Sequence, residues 1–329
     1  MNLADLSTPR HTKAQLVALA RARGHHATDR LLTDWQAAGL IDQPTKRGLG
    51  RGKGILALWP ESQLQLWLLL LSKRAETNQV PNLCNIPVGL WLYFGDKYAS
   101  IGQVRKCMRT WAERYCSSRG HQLAKQTARN LLADLPISQA SKNVKAQLVS
   151  TMATALLTGI REDADRRKLR DQLLRATDDP FNGSEKARAL VDLVLLRLLA
   201  SHHLIRQSLP DHLFQWARVW HLYNLRNYIQ AHDSGELPHV RGVDFDRPDF
   251  EKLILSACRD LMTSVGMALS INKEEVLPAP FFDPDAWKTG LKEISINFEV
   301  EATPIILPDG RRHAKLRTTV SGKVIPSNA

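Results

Sequence analysis

The sequence predicts a mainly α-helical protein with one short strand near its start and a β-hairpin at its end. Three observations lead there. Apolar residues recur at helical spacing behind capping residues, first within residues 10–75 and again from 141 to about 275. A basic, glycine-rich stretch, "PTKRGLGRGKGILALWP" at 44–60, separates the early helices and turns apolar at once. The period then falls to two in "EISINFEVEATPIIL", where Ile294, Ile296, Phe298 and Val300 alternate as in a half-buried strand.

Thr12 and Gln15 have the T-x-x-Q spacing of a capping box, so a helix is expected through "KAQLVALARAR", with Leu16, Leu19 and Ala20 inward and Gly24 at its end. Thr28 is placed to cap a second helix, "DRLLTDWQAA", which Gly39 would terminate in a left-handed conformation. Leu31, Leu32, Trp35 and Ala38 share one face of it. The opposite face centres on Arg30, Thr33 and Ala37, with Asp29 beside them. Two short helices around a tight turn form the helix-turn-helix pattern. After the basic stretch, "ILAL" reads as a strand, and Pro60 suits the first position of a third helix, with Glu61 near its positive end. The order helix, turn, helix, basic loop, strand, helix is that of a winged helix-turn-helix.

The basic stretch holds Lys46, Arg47, Arg51 and Lys53 with Gly48, Gly50, Gly52 and Gly54, and no acid lies between Gln43 and Gly54. A nucleotide P-loop needs Ser or Thr after its lysine to meet magnesium, whereas Gly54 follows Lys53. A dinucleotide loop needs a preceding strand and a following helix, and here the strand follows. A plain linker accounts for neither the helix pair before nor the strand and helix after. A wing lying on nucleic acid accounts for both: glycines let the backbone approach phosphates, and the four cations displace counterions. Wing contacts fix register while a helix reads bases. The candidate reading residues are Thr28, Asp29, Arg30, Thr33 and Ala37, with Arg30 for a guanine edge and Thr33 for a thymine methyl or a phosphate. The competing role for Arg30 is a surface ion pair with Asp34, one turn away.

"TDRLLTDWQAAGLI" resembles the second helix of the MerR superfamily, with Arg30, Leu32, Trp35, Gly39, Leu40 and Ile41 at the family's anchor positions. "ALWPESQL" is similar to the family segment that opens the helix after the wing. The resemblance spans about residues 10–73 and implies bacterial transcription control, with the second helix in the major groove and the wing on the backbone or minor groove. The family's long dimerising helix does not follow, since Pro81 and Pro87 interrupt the chain soon after Arg74. The family's dimer geometry and promoter-twisting mechanism therefore do not carry over.

The helix "ESQLQLWLLLLSKR" is apolar nearly all round, which requires cover from a second domain or a partner subunit. "IGQVRKCMRTWAERY" has the stripe Ile101, Val104, Met108, Trp111 and Tyr115. Arg105, Arg109 and, beyond them, Arg119 offer either a second DNA-contacting surface or a solvated basic face. Ser184, Asp211 after Pro210, and Pro248 with Asp249 mark the starts of three long helices with bundle spacing, and Trp216, Trp220 and Tyr223 lie on one stripe, read as core. "PDGRR" is the turn of the terminal hairpin, which either touches DNA or another subunit or closes the helical domain.

The totals agree with a polyanionic partner. Among 329 residues, 45 Lys and Arg face 33 acids, a net charge of +12. The most apolar run, "LQLWLLLL" at 64–71, is eight residues against the roughly 20 that a membrane span needs. The four cysteines form no C-x-x-C pair, which with no signal-peptide pattern leads to an expected cytoplasmic location. His212, His221 and His232 lack metal-ligand spacing, no H-E-x-x-H or G-x-S-x-G occurs, and no metal or cofactor is expected.

The expected organisation is a winged helix-turn-helix over 1–75, an α-helical effector or oligomerisation domain over 76–290, and a β-hairpin with tail over 291–329. The expected function is sequence-specific binding of double-stranded DNA by a homodimer, as in a bacterial transcriptional regulator. A mobile-element or plasmid factor for excision, replication or partition would use the same head. A nucleic-acid enzyme with catalysis in the helical domain is the third class, because convergent sites need no local motif.

Overall fold

Residues 10–49, 54–77, 79–113, 121–160, 163–178, 185–206, 209–235, 250–270, 291–306 and 312–326 are described by a computed structural model, the last two spans by backbone alone. Among these residues the fold is mainly helical with a small three-stranded antiparallel sheet. It divides into two compact units. One comprises Met1–Cys107, Arg226–Ala257 and Ala279–Ala329, the other Met108–Leu225 and Cys258–Pro278.

The first unit begins with β1 (Arg10–His11) and α1 (Lys13–Ala22). The capping box at the head of α1 is complete: the Gln15 N–H donates to Thr12 Oγ1, and the Thr12 N–H donates to Gln15 Oε1. Leu16, Val17 and Ala20 are buried, while Leu19 is only half-buried, so Val17 takes the inward place expected of Leu19. In α2 (Asp29–Ala38) Thr28 Oγ1 accepts from the Leu31 N–H, Leu32 and Trp35 are buried, and Gly39 ends the helix at φ 84°.

Two strands follow, β2 (Thr45–Gly48) and β3 (Ile55–Pro60), and the sheet order is β1-β3-β2. Lys46 and Arg47, expected in a loop, lie on β2 opposite Ala57 and Leu56 of β3. Pro60 is not the first residue of the next helix. Its ψ of 162° keeps it in the strand, in register with Arg10, and α3 (Glu61–Arg74) starts one residue later. Trp67 of α3 is fully buried and meets the Trp35 ring edge-to-face at 5.0 Å.

No long helix directly follows α3, which ends at Arg74, ahead of Pro81 and Pro87. They sit in the first turns of α4 (Val80–Leu83) and α5 (Asn85–Phe94), where a missing N–H costs no helical bond. Every residue of α5 from Asn85 to Tyr93 is buried. The helix α6 (Ile101–Glu113) supplies residues to both units and ends before Tyr115, which lies outside the described residues. Against α3 lie α1, β1, β3, α4 and the terminal strand β5 (Arg312–Pro326), which pairs antiparallel with β4 (Leu291–Ile306); Leu64, Leu66, Trp67, Leu70 and Leu71 are buried, and Leu68 and Leu69 stay half-buried.

The second unit is built on α7 (His121–Leu132), α8 (Lys142–Thr158), α9 (Asp163–Ala176), α10 (Glu185–Arg206), α11 (Asp211–Asp233) and α12 (Phe250–Ser270); the last two also contribute to the first unit. Leu131, Leu148, Met152, Leu173 and Val194 lie in one apolar cluster. Arg170 makes a two-pronged bond to Asp192 at 2.6 and 2.9 Å, and Arg197 reaches Asp134 at 2.8 Å. On α12, Gly266 lies so close to the Leu196 backbone that no side chain fits there. Trp216, Trp220 and Tyr223 are half-buried rather than core, and the two indoles stack 5.7 Å apart at an interplanar angle of 5°. Among the described residues no helix is long and apolar enough to cross a membrane.

Gly39 and Gly24 give a controlled comparison. Both have positive φ, of 84° and 82°, but a Cβ at Gly39 would lie 2.5 Å from Lys106 Cβ and 2.6 Å from the Cys107 nitrogen, whereas one at Gly24 meets nothing. Gly24→Ala should cost only the left-handed penalty of roughly 1–2 kcal/mol. Gly39→Ala should cost a further 1–3 kcal/mol or so for overpacking. Urea denaturation of the two variants and the parent tests the difference; equal losses would show that α6 does not press on this turn.

Candidate nucleic-acid interface

Polar bonds from α3 and α6 hold the end of α2. Gln103 Nε2 donates to the Leu40 carbonyl at 2.8 Å, and the Cys107 thiol donates to the Gly39 carbonyl at 3.0 Å. Gln63 Nε2 donates to Gln103 Oε1 and to the Tyr98 carbonyl, while Gln63 Oε1 accepts from the Asp42 N–H at 2.8 Å. Trp59 Nε1 then donates to the Asp42 carbonyl at 3.0 Å. Gln63 and Gln103 are buried, so a missing partner would leave a desolvated amide at a cost of about 1–3 kcal/mol. The network fixes the exit of α2, the start of β2 and the floor of β3 against one another.

The outward face of α2 remains open. Asp29, Arg30, Thr33 and Ala37 are exposed, whereas Thr28 is half-buried and its hydroxyl is committed to the cap. The Arg30 side chain is 91% exposed, and its Nε lies 3.8 Å from Asp34 Oδ2. An exposed pair at that separation is worth little and leaves the guanidinium available. Thr33 is more engaged than its sequence position suggests: its hydroxyl donates to the Asp29 carbonyl at 2.9 Å and accepts from Lys13 Nζ at 2.8 Å. Lys13, at the start of α1, thus brings a cation onto the same face. No sequence pattern marks it, because its partner is 20 residues away.

On the arm, Lys46, Arg47 and Gly48 are exposed along β2. Gly50, Arg51, Gly52 and Lys53 lie outside the described residues. The other basic candidates divide: Arg105 is half-buried, Arg109 is exposed with Nε 3.3 Å from Glu113 Oε1, and Arg119 lies outside the described residues. The (i,i+4) pairing of Arg109 fits a solvated basic face.

In the helical unit, a cavity of about 590 Å³ is lined by Leu132, Leu135, Ile137 and Val149 with Arg129 and Lys145 at its edge. Asp178, also at its edge, accepts from the Ser138 N–H and hydroxyl and from the Gln139 N–H; the Ser138 hydroxyl bond, foremost among these, holds its carboxyl below the ordinary carboxylate range. Among the described residues no group of His, Cys, Asp and Glu is arranged to hold a metal ion. Comparison with known proteins yields no matching family model, curated protein or solved structure.

His25 lies in the turn between α1 and α2, its N–H donating to the Ala20 carbonyl at 3.0 Å. Burial, and secondarily the Arg23 charge, lower its pKa from the ordinary 6.5. The unfolded chain therefore takes up the proton first. The stability His25 contributes is complete above pH 6.5 and is lost as pH falls through the lowered folded value. The denaturation midpoint should fall between pH 7.5 and pH 5.5, and less so in His25→Gln. The slope that remains includes His221, whose pKa burial also lowers against the opposing charge of Asp260. An unchanged slope in the variant would remove His25 from the account.

Proposed function

We propose that the chain is a sequence-specific reader of double-stranded DNA, with residues 10–74 forming a winged helix-turn-helix head of the kind the MerR resemblance implies. One observation carries this reading. A helix with an unobstructed outward face, Asp29, Arg30, Thr33 and Ala37, and an acid-free basic arm bearing Lys46 and Arg47 belong to the same unit, locked through the Gln63–Gln103 network. The order β1, α1, α2, β2, β3, α3, with β3 central in the sheet, supports it, because helix, helix, strand pair, helix is the element order of a winged helix-turn-helix. The net charge of +12 supplies the long-range attraction to a polyanion.

In this reading α2 enters the major groove. Arg30, nearly unhindered by Asp34, donates its fork to a guanine edge, and the Thr33 methyl faces a base while its hydroxyl stays with Lys13 and Asp29. Lys13, Lys46 and Arg47 take phosphates and set the register. The head serves transcription control by a homodimer on paired half-sites, and the helical unit together with the β4–β5 hairpin serves the assembly or the effector.

Selection of bound fragments from randomised duplex DNA with the full chain tests the proposal. An inverted-repeat motif is the expected result; salt-sensitive binding without any motif would overturn sequence reading. On the selected site, Arg30→Ala should cost about 1–3 kcal/mol and relax preference at a single base position. Lys46→Ala with Arg47→Ala should weaken all sequences alike and flatten the slope of log K against log salt by about one for each phosphate no longer neutralised.

A further inference from the structure

Four acids occur between Arg10 and Arg74, namely Asp29, Asp34, Asp42 and Glu61. Three of them serve the fold locally. Asp29 is the first residue of α2, where the positive end of the helix favours a carboxylate. Asp42 Oδ1 accepts from the Gln43 N–H at 2.7 Å. Glu61 opens α3, and its Oε2 lies 2.6 Å from His11 Nε2, which ties β1 to that helix. Asp34 has no comparable role. It is the sixth of ten residues in α2, past the turn where the helix dipole favours an acid, and aspartate is a poor helix former at such a position. Its side chain is 64% exposed, and the partner it meets among the described residues, Arg30 Nε, stands 3.8 Å away, beyond hydrogen-bond length. The arginine also precedes the acid along the helix, the weaker order for a pair four residues apart.

Arg30, Asp34 and Ala37 follow one another at four and three residues, and all are exposed, so the acid stands on the open face of α2 beside the arginine. A carboxylate there is repelled by the phosphates of every duplex, and only a hydrogen-bond donor on the DNA offsets the repulsion. The major-groove edges offer two such donors, the amino groups of cytosine and adenine. Adenine sets its N7 acceptor beside its amino group, against a carboxylate, whereas cytosine presents the amino group alone. A G·C pair thus carries its acceptors on guanine and its donor on cytosine, the complement of a guanidinium next to a carboxylate. Arg30 turns its Nε toward Asp34, which leaves both terminal nitrogens for guanine. From this juxtaposition we infer that Asp34 is a specificity-determining residue of the reading face, accepting a hydrogen bond from the N4 amino group of a cytosine within one base step of the guanine that takes Arg30. The inference rests on the DNA-reading proposal above and deepens it. Lys46 and Arg47 give affinity for any duplex, and the acid withdraws part of it wherever the amino group is missing.

The test compares the wild type with Asp34→Ala, each as the full chain, on the selected duplex. The guanine is located first, as the position where Arg30→Ala relaxes preference. Each cytosine within one step of it is then replaced in turn by pyrimidin-2-one, which is cytosine without its amino group. At one position this loss should weaken the wild type by roughly 5- to 150-fold and leave Asp34→Ala unchanged. Asp34→Ala should keep its thermal melt, since the side chain is exposed, and should bind an unrelated duplex several-fold more tightly than the wild type. Equal weakening of both proteins by the replacement, or looser binding of Asp34→Ala to unrelated DNA, overturns the Asp34 assignment and leaves the DNA-reading proposal intact. If Asp34→Ala changes preference at the guanine alone, the acid only positions Arg30, and the cytosine contact is again overturned. Failure of the wild type to select any motif overturns the reading proposal and the Asp34 inference with it.

Discussion

The turn after α2 depends on a chain of buried amides. Gly39 and Leu40 present two carbonyls to the interior, and α6 supplies the donors for them, the Cys107 thiol and the Gln103 amide. Gln103 in turn is oriented by Gln63, whose own oxygen takes the Asp42 N–H. Each amide spends both of its ends within the network, which is what makes buried polarity tolerable. The left-handed glycine belongs to the same arrangement, since a side chain there would hold α6 away from the carbonyls it must reach. Everything on the outward face of α2 inherits its position from this contact.

The exposed groups follow a different logic. Lys13, Arg30, Lys46 and Arg47 are long, solvated cations with few or distant internal partners, and they contribute little to holding the fold. Interior and exterior thus divide cleanly. In the first unit's head, neutral amides and indoles fix geometry, while the cations of β2 and of the outward face of α2 lie where water screens them. Leu49 and Ile55 are the exceptions to that division, apolar groups placed among the cations.

Legibility in the sequence followed distance along the chain. Bonds three or four residues apart left readable marks: the Thr12–Gln15 box, the Thr28 cap and the Gly39 stop all stand where spacing places them. Elements defined by remote partners did not. The strand β1 has two residues and exists only through Trp59 and Pro60, about fifty positions on, and β2 reads as loop because glycines and cations have low strand propensity until β3 pairs with them. Pro60 fits a helix start by composition, but pairing with Arg10 keeps it in the strand. Helix α5 was hidden by Pro87, a breaker in most contexts and harmless in a first turn. Gln63 and Gln103 carried no signal, since glutamine is ordinarily a surface residue. Lys13 joined the outward face only through Thr33, and the half-buried Trp216–Trp220 stack has the same periodicity as a core stripe.

The amide network also sets an order of events in time. Leu40 and Gly39 lie 63 and 68 residues before the groups that cap their carbonyls. Contacts of that span are slow to close, and during synthesis at about 5–20 residues per second the donors follow the turn by roughly 3–14 s. Until α6 is made, the α1–α2 pair has its local caps but not its anchor, and the two carbonyls are left to water. The helix that faces outward is thus translated before its anchor, and its seating must wait until residue 107 is in place.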